Sequence, residues 1–201
     1  MAEETEIYGD TLKSLLADCG AMLEGHFQLS SGLHSARYLQ LALLLAEPER
    51  AAAIGRSLSL LQTEAVDLVV SPAIGGLIIG HETARALGVR AFFTERENGL
   101  MTMRRGFALK RGERVVVVED VITTGKSTGE VVSLVRAAGA EVAGVLSIVL
   151  RAAKPPEFGT PCRSLLNLPI QSFPPGECPL CLNGTPFVKP GSRPAPSAGA
   201  A

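Results

Sequence analysis

The segment that most constrains the fold is Val115 to Ser127, VVVVEDVITTGKS, which joins an apolar run, two acids and a hydroxyl-rich turn. Four β-branched residues in succession, 115–118, predict a strand buried on both faces, as in a parallel sheet. The turn leads into a helical pattern over 129–138. This order of strand, turn and helix predicts an α/β protein with a central, mostly parallel sheet flanked by helices.

Two carboxylates, Glu119 and Asp120, stand directly after the buried run. At the carboxyl end of a strand, where open α/β sheets usually bind ligands, they can accept hydrogen bonds from ribose hydroxyls. The turn offers backbone N–H groups, a helix dipole and small hydroxyl side chains, which favour a phosphate. Helix capping explains the threonines and the serine, but not two adjacent acids that repel each other without a ligand or a cation. The pattern therefore predicts a site for a ribose 5-phosphate.

The same segment resembles the phosphoribosyl pyrophosphate (PRPP) binding motif of the type I phosphoribosyltransferases at every position. The resemblance implies the fold of that family, with a small N-terminal hood. It also implies that Glu119 and Asp120 hold the ribose hydroxyls. The 5-phosphate would lie against Val121, Ile122, Thr123, Thr124, Gly125, Lys126 and Ser127. The motif leaves open which base is used.

A second glycine-containing turn precedes this motif by one strand–helix unit. Gly75 and Gly76 would let backbone N–H groups approach an anion, although a plain strand-to-helix connection also explains a glycine pair. In the family, the corresponding loop binds pyrophosphate. The resemblance gives that role to Ser71, Pro72, Ala73, Ile74, Gly75 and Gly76.

The segment 94–107, TERENGLMTMRRGF, interrupts the apolar pattern with charges around a glycine. One interpretation is a solvated hairpin with ordinary surface charges. The other is a mobile lid that brings cations onto a leaving pyrophosphate and excludes water. In the family, a flexible loop here closes over the active site, often that of the neighbouring subunit, and better-known members carry lysines and a histidine in it. The resemblance implies a homodimer and makes Arg96 and Arg104 the candidate catalytic cations, with Asp120 as a third catalytic residue.

Residues 25–39, GHFQLSSGLHSARYL, predict a strand, a turn and a strand. An ordinary hairpin and a cap over a ligand both fit this pattern. It resembles the base-binding hood of the orotate phosphoribosyltransferases at Phe27, Leu29, Ser31, Gly32, Ser35 and Tyr38. Many members have a lysine where Ser30 stands, and the side chains that could compensate for it are His26, His34 and Arg37.

Arg151 follows the apolar strand predicted over 142–150. Orotate phosphoribosyltransferases commonly have an Asp-Arg pair here, whose arginine contacts the orotate carboxylate; Leu150 replaces the acid, and a surface arginine at a strand end is the alternative. The resemblance assigns orotate binding to Ser30, Tyr38, Thr123 and Arg151. It implies the conversion of orotate and PRPP to orotidine 5′-monophosphate and pyrophosphate in de novo pyrimidine (UMP) synthesis. A purine phosphoribosyltransferase of the same fold and a non-catalytic PRPP-sensing regulator remain open.

Magnesium is the expected cofactor, bound to pyrophosphate and ribose oxygens, and no dedicated protein cage is visible for it. The CxxC of Cys178 and Cys181 allows a zinc or a redox interpretation. A structural zinc site needs four ligands, and Cys162 could be a third, but the sequence offers no evident fourth. A thioredoxin-like CxxC would open a helix after a strand, whereas this one lies in a proline-rich loop.

Charge and composition exclude several partners. A net charge of −1 over 201 residues gives no electrostatic case for nucleic acid or a membrane surface. No apolar run reaches the roughly 18 residues of a membrane span, and the acidic N-terminus lacks the features of a signal peptide. We therefore expect a cytoplasmic protein. The expected domains are a helix and hood at 1–45, a core with a C-terminal return to the hood at 46–188, and a disordered tail at 189–201.

Overall fold

The computed structural model describes residues 7–29 and 31–190, which form two compact units. The large unit contains residues 7–21 and 40–169, and the small unit contains 22–29, 31–39 and 170–190. Ser30 and the part of the predicted tail beyond residue 190 lie outside the described residues. The units divide the chain differently from the expected domains because the first helix packs within the large unit, where the backbone N–H of Ile7 donates to Ser57 Oγ at 2.9 Å.

The helices and strands are numbered separately in chain order. They are α1 (Gly9–Asp18), β1 (Met22–Gln28), β2 (His34–Leu39), α2 (Leu41–Leu44), α3 (Pro48–Leu61), β3 (Leu68–Pro72), α4 (Gly76–Leu87), β4 (Arg90–Glu97), β5 (Leu100–Met103), β6 (Arg114–Ile122), α5 (Lys126–Ala137), β7 (Glu141–Leu150), β8 (Cys162–Asn167), β9 (Ser172–Phe173), a 3-10 turn (Pro175–Glu177) and α6 (Pro179–Leu182).

The large unit is built on a six-stranded sheet in the order β5-β4-β3-β6-β7-β8. All neighbours are parallel except β4 and β5, which form an antiparallel hairpin at one edge. Parallel neighbours must be joined by crossovers, and helices α4 and α5 supply two of these. The sheet confirms the predicted α/β class.

Strand β6 lies inside this sheet, between β3 and β7. The four valines 115–118 are completely buried, as their β-branched run predicts. Val115 and Val117 pack in one cluster with Val131 and Val135 of α5, and the alternate valines of β6 are equally inaccessible. Burying a valine side chain contributes about 1.5–3 kcal/mol, so the four valines hold β6 firmly inside the sheet.

The small unit is a three-stranded antiparallel sheet in the order β1-β2-β9. Its hairpin agrees with the strand–turn–strand pattern of residues 25–39. The pairing of β1 and β2 shifts register between Glu24 and Phe27, which marks a β-bulge. The chain returns beside β1 near its end, where Val188 N–H donates to His26 O at 2.8 Å and Gln28 N–H donates to Val188 O at 2.9 Å.

The segment expected to return to the hood is split between the two units. Strand β8 adds to the large sheet, parallel to β7, whereas residues 170–190 belong to the small unit. A search of the described helices for a membrane-spanning segment found none.

Candidate active site

The PRPP motif and the glycine-containing loop lie side by side because β6 and β3 are neighbouring strands. From β3 the chain continues to β4, towards one edge of the sheet, and from β6 it continues to β7, towards the opposite edge. Between β3 and β6 the strand order therefore reverses, and ligands of open α/β sheets bind in the crevice that forms there, outside the carboxyl ends of the strands. These carboxyl ends and the turns that follow them contain residues 71–76 and 121–127, the two segments predicted to bind pyrophosphate and phosphate.

Gly75 brings the loop backbone directly against the acid pair. A Cβ placed on Gly75 would lie only 2.5 Å from Asp120 Oδ2, a separation that a real side chain could not adopt. Ser71 is buried beneath the loop, whereas Ile74 is 84% exposed. The Ala73–Ile74 peptide bond is cis, and the Ala73 N–H donates to Thr94 O at 2.7 Å. The loop thus presents its backbone to the space beside Asp120.

The two adjacent acids differ in burial, since Asp120 is only partly buried. Glu119 is 7% exposed, and this burial raises the pKa of its carboxyl well above the ordinary value, with the charge of Asp120 raising it further. Burial also raises the pKa of Asp120, although hydrogen bonds, including one from Val121 N–H at 2.8 Å, oppose that rise. Strongly perturbed carboxyls in a crevice are typical of functional sites.

The turn after β6 exposes the groups that a phosphate would need. The side chains of Thr123, Thr124 and Lys126 are exposed, and α5 begins at Lys126, so its N-terminal N–H groups lie at the turn. Gly125 has φ +76°, and a Cβ there would meet Pro156 at 2.7 Å, so glycine is required. Val121 and Ile122 still belong to β6, and the Ile122 side chain is buried in the core. Only the backbone of Ile122 is therefore available to a ligand.

The segment with the candidate catalytic arginines forms the β4–β5 hairpin. Arg96 reaches the first turns of α5, where its Nη2 lies 2.6 Å from Glu130 Oε2 and 3.5 Å from Ser127 Oγ. Arg104 pairs with Glu97 at 3.4 Å. The structure thus brings Arg96 to the PRPP turn and gives Arg104 a partner within the hairpin.

Arg151 lies at the carboxyl end of β7, next to the start of the PRPP turn. Its backbone N–H donates to Ile122 O at 2.8 Å, which places it beside Thr123. The residue is 6% exposed, and the preceding Leu150 is buried in the core. Arg151 is therefore a buried cation at the carboxyl end of the strands. The alternative interpretation, a surface arginine at a strand end, is wrong.

The small unit carries the predicted hood residues. Tyr38 lies in β2, partly buried, with its ring 5.7 Å from that of Phe27. The histidines proposed to replace a missing lysine do not fit that role, because His26 and His34 are buried against each other, with ring nitrogens 2.8 Å apart. Arg37 pairs with Glu24 at 3.2 Å. Ser30 lies outside the described residues.

Sequence reasoning missed one group of side chains. The two histidines meet the CxxC cysteines, so that one ligand atom from each of His26, His34, Cys178 and Cys181 lies within 4.8 Å of the others. Cys162, considered as a third zinc ligand, lies in β8 of the large unit and does not belong to this group. The available signal was that two of the three histidines of the chain stand on either side of the hairpin turn.

Comparison with known proteins agrees with this geometry. Residues 42–178 match the phosphoribosyl transferase domain family. The chain is 51% identical over 185 residues to the orotate phosphoribosyltransferase of Carboxydothermus hydrogenoformans, covering 90% of this chain and 97% of that protein. It is 48% identical over 187 residues to that of Heliobacterium modesticaldum, covering 92% and 98%.

A solved structure shows the same relationship. The orotate phosphoribosyltransferase from Aeropyrum pernix superposes with a TM-score of 0.66 at 28% identity, covering 78% of this chain and 93% of that one. The fold and the site define an enzyme of the phosphoribosyltransferase class, a group of pentosyltransferases. Within that class, the chain belongs to the orotate phosphoribosyltransferase family.

Replacing Glu119 with glutamine should stabilise the ligand-free protein at high pH. Because folding raises the pKa of Glu119, the folded state holds this proton more tightly than the unfolded chain, and the wild type loses stability as the pH rises through the raised value. The glutamine side chain does not ionise, so the variant does not lose stability in this way. Thermal unfolding should therefore show a larger gain in Tm for Glu119→Gln at pH 8 than at pH 5, with roughly 2–4 °C for each kcal/mol.

The matched control is Glu141→Gln, an exposed residue at the amino end of β7. Its Tm difference from the wild type should not change between the two pH values. A gain for Glu119→Gln that is the same at pH 5 and pH 8 would contradict the assigned cause.

Proposed function

We propose that this protein transfers the phosphoribosyl group of PRPP to orotate, giving orotidine 5′-monophosphate and pyrophosphate, as a step of de novo pyrimidine synthesis. The observation that carries the proposal is the crevice between β3 and β6, where the acid pair Glu119 and Asp120, the turn at the start of α5 and the loop 71–76 converge. Similarity to orotate phosphoribosyltransferases over most of the chain favours orotate over a purine base and an enzyme over a PRPP-sensing regulator.

The proposed binding mode follows from the chemistry of each group. Glu119 and Asp120 accept hydrogen bonds from the ribose hydroxyls, and backbone N–H and hydroxyl groups of 121–127 hold the 5-phosphate. The backbone of 71–76 holds the pyrophosphate, and the buried guanidinium of Arg151 pairs with the orotate carboxylate. Thr123, Tyr38 and Ser30 remain proposed orotate contacts on the strength of the family resemblance.

The reaction requires little covalent chemistry from the protein. A ring nitrogen of orotate is the nucleophile, and the bond from C1′ to the pyrophosphate oxygen breaks with oxocarbenium character. Positive charge then develops on the sugar beside Asp120, and negative charge develops on the pyrophosphate, where Arg96 and Arg104 are the proposed cations. The pairs Arg96–Glu130 and Arg104–Glu97 are partly exposed. Exposed ion pairs contribute only about 0–1 kcal/mol, so either arginine can exchange its partner for a phosphate at low cost.

Magnesium is the proposed cofactor. Glu119 and Asp120 offer the oxygen ligands this ion prefers, and Mg²⁺ is usually bound by one or two carboxylates together with substrate phosphates. We propose that substrate phosphates and water supply the remaining ligands of the ion. When bound, the ion neutralises phosphate charge, while the protein residues orient the sugar and the base.

The proposal is tested by following orotate absorbance after adding PRPP and magnesium, with adenine and xanthine assayed in parallel. Consumption should require orotate, PRPP and magnesium together. The double variant Glu119→Gln/Asp120→Asn should lose PRPP binding by at least about a hundredfold in calorimetry, because its amides cannot replace two charge-assisted acceptors. Glu141→Gln is the control. Unchanged PRPP affinity in the double variant would refute the assigned site, and consumption of a purine in place of orotate would refute the substrate.

Arg151→Gln tests how the base is selected. Losing a charged hydrogen bond to a carboxylate costs about 1.5–3 kcal/mol, so the KM for orotate should rise about tenfold to a hundredfold while the KM for PRPP changes little. Arg163→Gln, on the edge strand β8, is the matched control. Equal increases in both KM values would show that Arg151 supports the fold and does not contact the base.

We also propose that the protein is a homodimer, as the family resemblance implies, and that it is cytoplasmic, as the sequence analysis predicts. Light scattering should give about twice the 21.0 kDa mass of one chain, and cell fractionation should recover the protein with cytoplasmic markers. A monomer at micromolar concentration would contradict the dimer.

A further inference from the structure

The small unit contains four side chains with the chemistry of a metal site, and none of them takes part in the proposed reaction. His26 Nε2 and His34 Nδ1 lie 2.8 Å apart. Cys178 Sγ lies 3.4 Å from His26 Nε2, and Cys181 Sγ lies 3.1 Å from His34 Nδ1. Two nitrogens and two sulfurs therefore converge on one point.

We propose that His26, His34, Cys178 and Cys181 bind one zinc ion as a tetrahedral structural site. Zinc ligated at about 2.0–2.1 Å by nitrogen and about 2.3 Å by sulfur places its ligand atoms roughly 3.3–3.8 Å from each other. The ligand atoms here are 2.8–3.7 Å apart in the pairs described above and in the Cys181–His26 pair, and all lie within 4.8 Å. Small side-chain rotations would regularise the tetrahedron.

The tautomer of His26 fits a ligand. Its Nδ1 lies 2.7 Å from Thr185 O, and because a carbonyl oxygen can only accept, Nδ1 carries the hydrogen. The neutral ring then presents the lone pair of Nε2 to the cluster. Metal-binding histidines usually donate their other N–H to a backbone carbonyl in this way, which fixes the orientation of the ring.

Burial and charge also favour zinc at this place. His26, His34 and Cys178 are 4%, 1% and 1% exposed, and the Phe187 ring covers the histidines at centroid distances of 5.8 and 4.7 Å. Burying an isolated charge is costly, but Zn²⁺ with two thiolates and two neutral imidazoles has no net charge. Soft sulfur and imidazole ligands in a tetrahedral set favour zinc over magnesium or calcium.

Local structure presents each ligand. His26 and Phe27 are both buried, although neighbours in a regular strand point to opposite faces; the bulge in β1 resolves this conflict. Cys178 precedes α6 and Cys181 lies within it. Leu182 N–H donates to Cys178 O at 3.0 Å, and this helical turn keeps the two sulfurs on one side. The ion would thus fasten the hairpin to the C-terminal segment.

The size of the small unit supplies a reason for such a link. Its described residues number about forty, and chains of this size rarely bury enough apolar surface without a disulfide, a metal or a partner. Its cysteines are free thiols. A structural zinc would provide the missing stabilisation.

The test is the zinc content of the purified full-length chain, prepared without chelators or a metal-binding tag and measured by plasma mass spectrometry. The wild type should hold one zinc per chain. In Cys178→Ser/Cys181→Ser the zinc content per chain should fall at least tenfold. The matched variant Cys19→Ser/Cys162→Ser, which removes the two cysteines outside the cluster, should keep the wild-type zinc content. Equal zinc in both double variants, or stoichiometric iron or copper in place of zinc, would overturn the proposal.

A second measurement uses only the wild type and so does not depend on how the variants fold. Zinc-depleted protein titrated with Co²⁺ should develop the visible bands of tetrahedral cobalt and a near-ultraviolet sulfur-to-cobalt band, complete at one equivalent, and zinc should bleach both. The binding of cobalt or zinc at this site should not depend on whether the protein turns over orotate, so this test is separate from the test of the proposed function. Absence of the tetrahedral spectrum, or a Cys178–Cys181 disulfide in the native protein, would refute it.

Discussion

The burial of β6 between β3 and β7 is the constraint on which the proposed active site depends. Four consecutive valines leave β6 no solvent-facing side, so the strand is stable only inside the sheet. A shift of one residue along the strand would put an acid in the place of a buried valine, which disfavours other registers. Whatever follows the valines must therefore emerge at the carboxyl edge, and the chain places Glu119 and Asp120 there.

This placement sets stability against function. A carboxyl of raised pKa, held next to a second acid and against the backbone at Gly75, destabilises the ligand-free protein as the pH rises above the ordinary pKa of a glutamate. A ribose that donates hydroxyl hydrogen bonds, or a cation, removes part of that cost. Binding energy and folding energy are thus coupled through the same two side chains. The strongly buried β6 supplies the stability that makes such a site tolerable.

The two units are stabilised by different means. The large unit has an apolar core formed by the sheet and its helices, with many side chains at zero exposure. The small unit has few buried apolar residues, and three of its buried side chains are the imidazoles of His26 and His34 and the thiol of Cys178. An apolar cluster stabilises by excluding water and tolerates many side-chain types of the right size. A metal site instead requires four particular atoms at fixed distances, which makes the small unit sensitive to single substitutions at those positions.

The sequence by itself determined the elements whose signals are local. The run 115–118, the acid pair and the turn at Gly125 are contiguous, so the strand, the motif and the start of α5 could be predicted, and so could the hairpin of residues 25–39. Only the tertiary structure showed that β8 joins the large sheet and that Arg151 is buried. It also brought His34 and Cys181 together across 147 positions of sequence. Short-range patterns specify local backbone geometry, whereas the convergence of distant side chains depends on the path of the whole chain.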